Sequence, residues 1–247
     1  LTSKEILLIV EGESSEPELF NKLVDFYLNN AEVTFEVFSY KTNLYDLYSA
    51  LSKDDFLDII HYLNENKNAS LKRYNEIYIV FDLDIHHTNK QKFNIYTKDK
   101  ISKMLKFFCD PFDKGELFLN YPMIESFKDI TSYDINEYLK LDIKRTDSIK
   151  YKQIVANKPT LIKGVSELSK NMLNFMISIN SIKSNWIMTG DSNKPSKQPN
   201  QADLFSKIEE KYIKSNRVPV LNTMLTFPIL FFGVEDIQKF LKNNDEI

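Results

Sequence analysis

Two stretches decide the fold: Ile6-Leu7-Leu8-Ile9-Val10-Glu11-Gly12 and Ile77-Tyr78-Ile79-Val80-Phe81-Asp82-Leu83-Asp84. Each is a short apolar run, rich in β-branched residues, that ends abruptly in carboxylates. Runs of this length without polar alternation fit central strands of a parallel sheet, where helices cover both faces. The residues after the first run support this. Ser15 and Glu18 have the spacing of a capping box, Pro17 fits a first helical turn, and Leu19, Phe20, Leu23, Phe26 and Tyr27 recur at helical spacing to about Leu28.

Working outward, Val33 to Tyr40 alternates as a second strand, and Phe56, Ile59, Ile60 and Leu63 predict a helix over about Asp54–Asn64. Ile101, Met104, Leu105 and Phe108 predict another helix, and Glu116 to Leu119 a short strand leading into Tyr121, Pro122 and Glu125. Alternating strands and helices imply an α/β fold, a Rossmann-like parallel sheet flanked by helices, with strands near 5–11, 33–39, 77–82 and 115–120. After about residue 130 the pattern becomes helical, with segments at Tyr133–Leu141, Leu161–Ile182 and Ala202–Ser215, and a loop at Gly190–Gln201. We therefore expect a core at 1–130, a helical accessory region at 131–215, and an apolar segment at 216–247 that packs back on the core. Within the last, Val218 to Leu241 fits either a helix pair or a strand plus a helix.

Composition sets outer bounds. The chain has 247 residues, 43% hydrophobic and 27% charged, which is ordinary for a globular protein. One cysteine, Cys109, excludes an intramolecular disulfide and fits a reducing, cytoplasmic setting. No segment is long and apolar enough to predict a membrane span, and Leu1 to Val10 lacks a cleavage pattern and reads as a strand. Net charge is -3, unevenly spread: residues 1–130 carry 15 basic and 22 acidic side chains, whereas residues 131–200 carry 11 and 6. The basic middle is either a solvated helical face or a polyanion-binding surface. Its best candidates for phosphate contact are Lys144, Arg145, Lys150 and Lys152, beside Lys140 and interleaved with Tyr138 and Tyr151, whose rings could stack bases.

Ligands of parallel α/β sheets gather beyond the carboxyl ends of the strands. There Glu11 would project from the end of the first run, with Gly12 permitting a sharp turn, and Asp82 and Asp84 would share one side of the other strand end. Each motif alone also fits a solvated acidic turn. Together at one edge they would repel unless a cation lay between them, and magnesium favours one or two carboxylates plus waters and phosphate oxygens.

This pairing of Glu11-Gly12 with Asp82-x-Asp84 resembles the Toprim domain of bacterial primases, type II topoisomerases and OLD-family nucleases, over about residues 4–130. The form Glu11-Gly12-x-x-x-Glu16-Pro17 with Phe20, and the element Asn120-Tyr121-Pro122-Met123-Ile124-Glu125-Ser126-Phe127, look like RloB-like and related abortive-infection Toprim proteins. The resemblance implies cleavage of nucleic acid with Mg2+ or Mn2+, often in anti-phage defence and sometimes beside an ATPase partner subunit. It implies Asp82 and Asp84 as metal ligands, Glu11 as general base, general acid or ligand, and Glu16 and Glu125 completing the shell. His86 and His87 could contact a phosphate or protonate a leaving group, and Lys128 could offset phosphate charge, although residues so placed are more often solvated bystanders. Two rivals stand beside the nuclease: another phosphoryl-transfer enzyme using the same carboxylates, and a non-catalytic subunit that binds an ATPase. The sequence leaves DNA versus RNA and the oligomeric state open.

Overall fold

The structure is a computed structural model that describes residues 4–28, 33–54, 56–83, 95–193, 195 and 197–231. Its centre is a five-stranded sheet of β1 (Lys4–Val10), β2 (Val33–Ser39), β3 (Glu76–Asp82), β4 (Cys109–Asp110) and β5 (Gly115–Asn120), in the order β2-β1-β3-β5-β4. The four expected strands lie where their apolar runs placed them. Ile6 to Val10 are fully buried, as are Ile79 and Val80, because β1 and β3 are central and covered on both faces. β1, β2, β3 and β5 are parallel, in a register that pairs Val10 with Val80 and Asp82 with Asn120.

The sheet is not wholly parallel. β4 runs antiparallel to β5 across a tight turn in which Asp110 accepts a hydrogen bond from the Phe112 amide (2.9 Å). Gly115 opens β5 at φ +95, and a Cβ there would meet Ile79 Cδ1 at 3.0 Å, so only glycine fits the turn against the core.

Helices flank the sheet: α1 (Ser15–Leu23), α2 (Leu44–Leu51), α3 (Ile59–Lys67) and α4 (Ile95–Phe107). Several boundaries differ from the sequence expectation, each for a local reason. α1 starts after Ser14 without a side-chain cap, and its last residues pass into a wider π turn over Val24–Leu28. The helix expected from Asp54 starts instead at Ile59, capped by Asp58. Asp54 folds its carboxylate onto the Phe56 amide in a turn, which leaves Phe56 97% exposed. α2 escaped the sequence reading although Asn43 caps it and Leu44, Leu47 and Leu51 form its buried face.

Beyond β5 come α5 (Ile135–Lys140), β6 (Asp142–Lys144), α6 (Tyr151–Ala156), α7 (Lys170–Thr189), α8 (Gln201–Lys211) and β7 (Arg217–Pro219). The helix expected over Leu161–Ile182 is shorter at its start and longer at its end. Within that stretch, residues before Ser169 form only a 3-10 turn at Val165–Glu167, Ser169 caps α7 at the Met172 amide, and Gly190 at φ +82 ends it. β6 and β7 form a small antiparallel sheet, reinforced by the Asp142–Arg217 ion pair. The apolar tail contributes β7 and a 3-10 turn over Met224–Thr226, and its residues from 232 lie outside those described. Among the described residues, no helix is long and apolar enough to cross a membrane.

Lys183, on α7, is fully buried. Its Nζ donates to the carbonyls of Tyr138 (2.7 Å) and Leu141 (2.6 Å), closing the end of α5, and lies 4.7 Å from the Tyr138 ring centre. Burial lowers its pKa from 10.5 to about 7, against the weaker pull of Asp142 and Asp129. A neutral amine has two N–H donors, which is the number these two carbonyls take. Because the unfolded chain holds a proton that the folded one has lost, stability contributed by this site rises with pH above about 7. Denaturant unfolding between about pH 7.5 and 9.5 should show an upward slope of up to about 1.4 kcal/mol per pH unit. Lys183→Met should flatten it; an equal slope in both proteins would refute the neutral lysine.

Candidate active site

The parallel register sets the carboxyl ends of β1, β3 and β5 side by side, so Glu11, Asp82 and Asn120 lie along one edge of the sheet. The Asp82 amide donates to Glu11 Oε2 (3.2 Å), and Asn120 Nδ2 donates to Asp82 Oδ1 at the long distance of 3.5 Å. Glu16, in the first turn of α1, turns back over Gly12. Its Oε1 accepts the Gly12 amide at 3.2 Å. A Cβ on residue 12 would lie 2.6 Å from Glu16 Oε2, so the glycine makes room for that carboxylate.

Glu125 comes from the 3-10 turn Ile124–Lys128 that follows β5 and the cis Tyr121–Pro122 peptide. It is 5% exposed, and Lys152 Nζ approaches its Oε1 at 3.3 Å. A buried anchor fixes that approach. Asp129, at 0% exposure, takes both a Lys158 ion pair (2.7 and 2.8 Å) and the Tyr151 hydroxyl (2.9 Å), and Tyr151 immediately precedes Lys152 on α6. The anchor thus fixes where α6 presents Lys152.

Burial, then the charges of Glu11, Glu16 and Glu125, push the Asp82 carboxyl well above the usual range, with the Asn120 bond opposing. Burial likewise raises Glu16, opposed first by its bonds to the Glu16 and Gly12 amides; Glu125 adds to the rise and Lys152 offsets it. Four carboxylates therefore share one electrostatic field, the arrangement found where acid–base or cation chemistry occurs.

No protein-family model, curated protein or solved structure matches this chain.

The donor set suits a hard divalent cation, since every group is an oxygen and the cluster carries more negative charge than Lys152 offsets. Among the described residues, no three acidic, histidine or cysteine groups converge into a full shell. Magnesium does not need one: it binds through one or two carboxylates and keeps waters. Glu11 and Asp82 are the pair that hydrogen bonding already holds together. Asp84, His86 and His87 lie outside the described residues.

The expected basic residues divide. Lys144, Arg145 and Lys150 lie together on β6 and the 3-10 turn that follows it, beside the exposed Ile149, whereas Lys152 points at the carboxylates. Lys128 lies over the Phe127 ring at 5.7 Å. An open cleft of about 450 Å³ begins at Glu11 and Gly12 and runs between Glu13, Lys41, Asn43 and Asp46. Its wall forms because the β1–β2 ladder continues past the strands, with Tyr40 and Lys41 amides bonded to Val10 and Glu11 carbonyls (2.8 and 3.0 Å). The sequence reading missed Asn120, although its place beside Tyr121-Pro122 was in view; only strand register shows that it faces Asp82.

Two outcomes follow from this geometry. Asp82 and Glu16 hold protons more tightly folded than unfolded, so metal-free protein should gain stability as pH falls from neutral toward their ordinary values, 3.8 and 4.5. Asp82→Asn should be as stable as wild type or more so at pH 7 and should lose part of that gain; melting curves with EDTA at stepped pH decide it. Gly12→Ala should melt near wild type, because a flexible carboxylate gives way. If the edge holds a divalent cation, the variant should bind Mn2+ about tenfold or more weakly by calorimetry, because Glu16 is displaced.

Proposed function

We propose that this chain is a metal-dependent nuclease of the Toprim type, acting on nucleic-acid phosphodiesters with Mg2+ or Mn2+. The observation that supports it is the gathering of Glu11, Glu16, Asp82 and Glu125 at one sheet edge, from the ends of β1 and β3, the first turn of α1 and the turn after β5. That is the edge at which the sequence resemblance expects the chemistry. A divalent ion held there would polarise the scissile phosphate and lower the pKa of a nearby water.

The chain's own groups have separable parts. Glu11, Glu16 and Asp82 would hold the cation, together with Asp84 as the resemblance implies. Glu125, paired with Lys152, is suited to passing a proton at the attacking or leaving oxygen. Lys152 offsets phosphate charge beside Glu125. Lys144, Arg145 and Lys150 grip the nucleic-acid backbone away from the reacting atoms, with Lys128 a further contact. A role as toxic effector in bacterial anti-phage defence, alone or with an ATPase partner subunit, rests on the resemblance to RloB-like proteins.

Incubation with plasmid, single-stranded DNA and total tRNA, with Mn2+ or with EDTA, tests this directly. We expect cleavage of at least one substrate that EDTA stops. Glu11→Gln, Asp82→Asn and Asp84→Asn should each lower it by about 100-fold or more without unfolding the chain. Hydrolysis of nucleotides or phosphomonoesters alone would favour a different phosphoryl-transfer enzyme. No Mn2+ affinity and no cleavage would favour the non-catalytic subunit.

The basic face supplies a separate outcome. Replacing Lys144, Arg145 and Lys150 with glutamate should weaken nucleic-acid binding and reduce its salt slope by about one for each phosphate no longer neutralised. Mn2+ affinity should stay unchanged. An unaltered salt slope would make these residues an ordinary solvated face.

A further inference from the structure

Three consecutive residues of the C-terminal segment, Asn222, Thr223 and Met224, direct polar groups at the end of β5 and at the turn that carries Glu125. Asn222 Nδ2 donates to the Ile124 carbonyl (3.1 Å) and to Ser126 Oγ (3.2 Å), the neighbours of Glu125 on either side. The Thr223 hydroxyl donates to the Leu119 carbonyl (3.0 Å), and the Met224 amide to Asn120 Oδ1 (3.4 Å). Asn120 in turn offers its Nδ2 to Asp82. Asn120, Asn222, Thr223 and Met224 are each at most 1% exposed.

The bracket is itself held. The Asn222 amide donates to Asn180 Oδ1 (2.8 Å) on α7, which also accepts the Tyr138 hydroxyl (2.8 Å), and Asn222 Oδ1 accepts the Leu225 amide (3.1 Å). Tyr121 and Leu221 exchange both backbone hydrogen bonds (2.8 Å each).

An apolar filling would stabilise this space without desolvating amides, so hydrogen bonding here serves direction more than burial. Apolar contacts tolerate sliding. Bonds to the atoms flanking Glu125 and to the side chain facing Asp82 do not.

We infer that Asn222 and Asn120 are positioning residues: through them the C-terminal segment sets where Glu125 and Asp82 stand, and so completes the metal-dependent site. This rests on reading the carboxylate edge as that site. Neither asparagine touches the reacting atoms; each acts through a carboxylate. Groups that orient metal ligands typically change metal affinity or activity about 10- to 100-fold when removed.

The test measures Mn2+ affinity by calorimetry, well below each protein's melting temperature, for wild type, Asn120→Ala, Asn222→Ala and the isosteric Thr223→Val. Cleavage is measured in parallel. We expect Asn120→Ala and Asn222→Ala to bind Mn2+ at least about tenfold more weakly and to lose kcat with little change in KM for nucleic acid. Thr223→Val, which keeps its shape and loses only the bond to Leu119, should weaken Mn2+ binding less, and it carries the test if an alanine variant fails to fold. Folded variants that melt lower yet keep wild-type Mn2+ affinity and kcat would overturn the inference and leave the site reading standing. Wild-type protein without Mn2+ affinity would overturn both.

Discussion

Parallel register is the constraint on which everything else here depends. Once β1, β3 and β5 are hydrogen-bonded side by side with Val10 opposite Val80 and Asp82 opposite Asn120, the residues that end those strands have no choice about their neighbours. Glu11 and Asp82 must share an edge, and the charge of Glu16 and Glu125 is added from the segments that leave it. The buried apolar strands supply the stability. The edge gives some of it up to hold like charges together.

Polar groups restrain that edge. Glu16 takes the Gly12 amide, Asp129 gathers Lys158 and Tyr151, and Asn222 grips both sides of Glu125. A buried ion pair such as Asp129–Lys158 contributes little net stability once its desolvation is counted. Its value is geometric, since it fixes the helix that presents Lys152. The helical region after residue 130 and the C-terminal segment therefore reach the edge through directional contacts as well as through packing.

How much of this was legible in the sequence depended on range. Ile6–Val10 and Ile77–Phe81 announced buried parallel strands through composition alone, and the carboxylates at their ends followed. Local competition was harder to read. The box read at Ser15 and Glu18 takes Ser15 as the cap, but the helix already begins at Ser15 and its cap position is Ser14, while Glu16 bonds to Gly12; Asp54 diverts the chain into a turn within a stretch whose helical spacing runs to Asn64. α2 was readable from Asn43 and its leucines but is too short for periodicity to stand out. Asn120, Asn222 and the pairing of Lys152 with Glu125 were beyond reach, because they depend on residues brought together from distant parts of the chain. Lys152 looked like one more cation in a basic run.

The bonds from Asn222, Thr223 and Met224 span 96 to 104 residues of sequence. Contacts of that separation form late, since the chain between must be ordered before they return anything. On a ribosome the strands that carry Glu11 and Asp82 emerge long before residue 222, and domains organise from the N-terminus as synthesis proceeds. A growing chain would thus hold its carboxylates while lacking the bracket that sets them. Emergence of residues 222–224 becomes the step that brings these bonds, a form of timing written into contact order rather than into any switch.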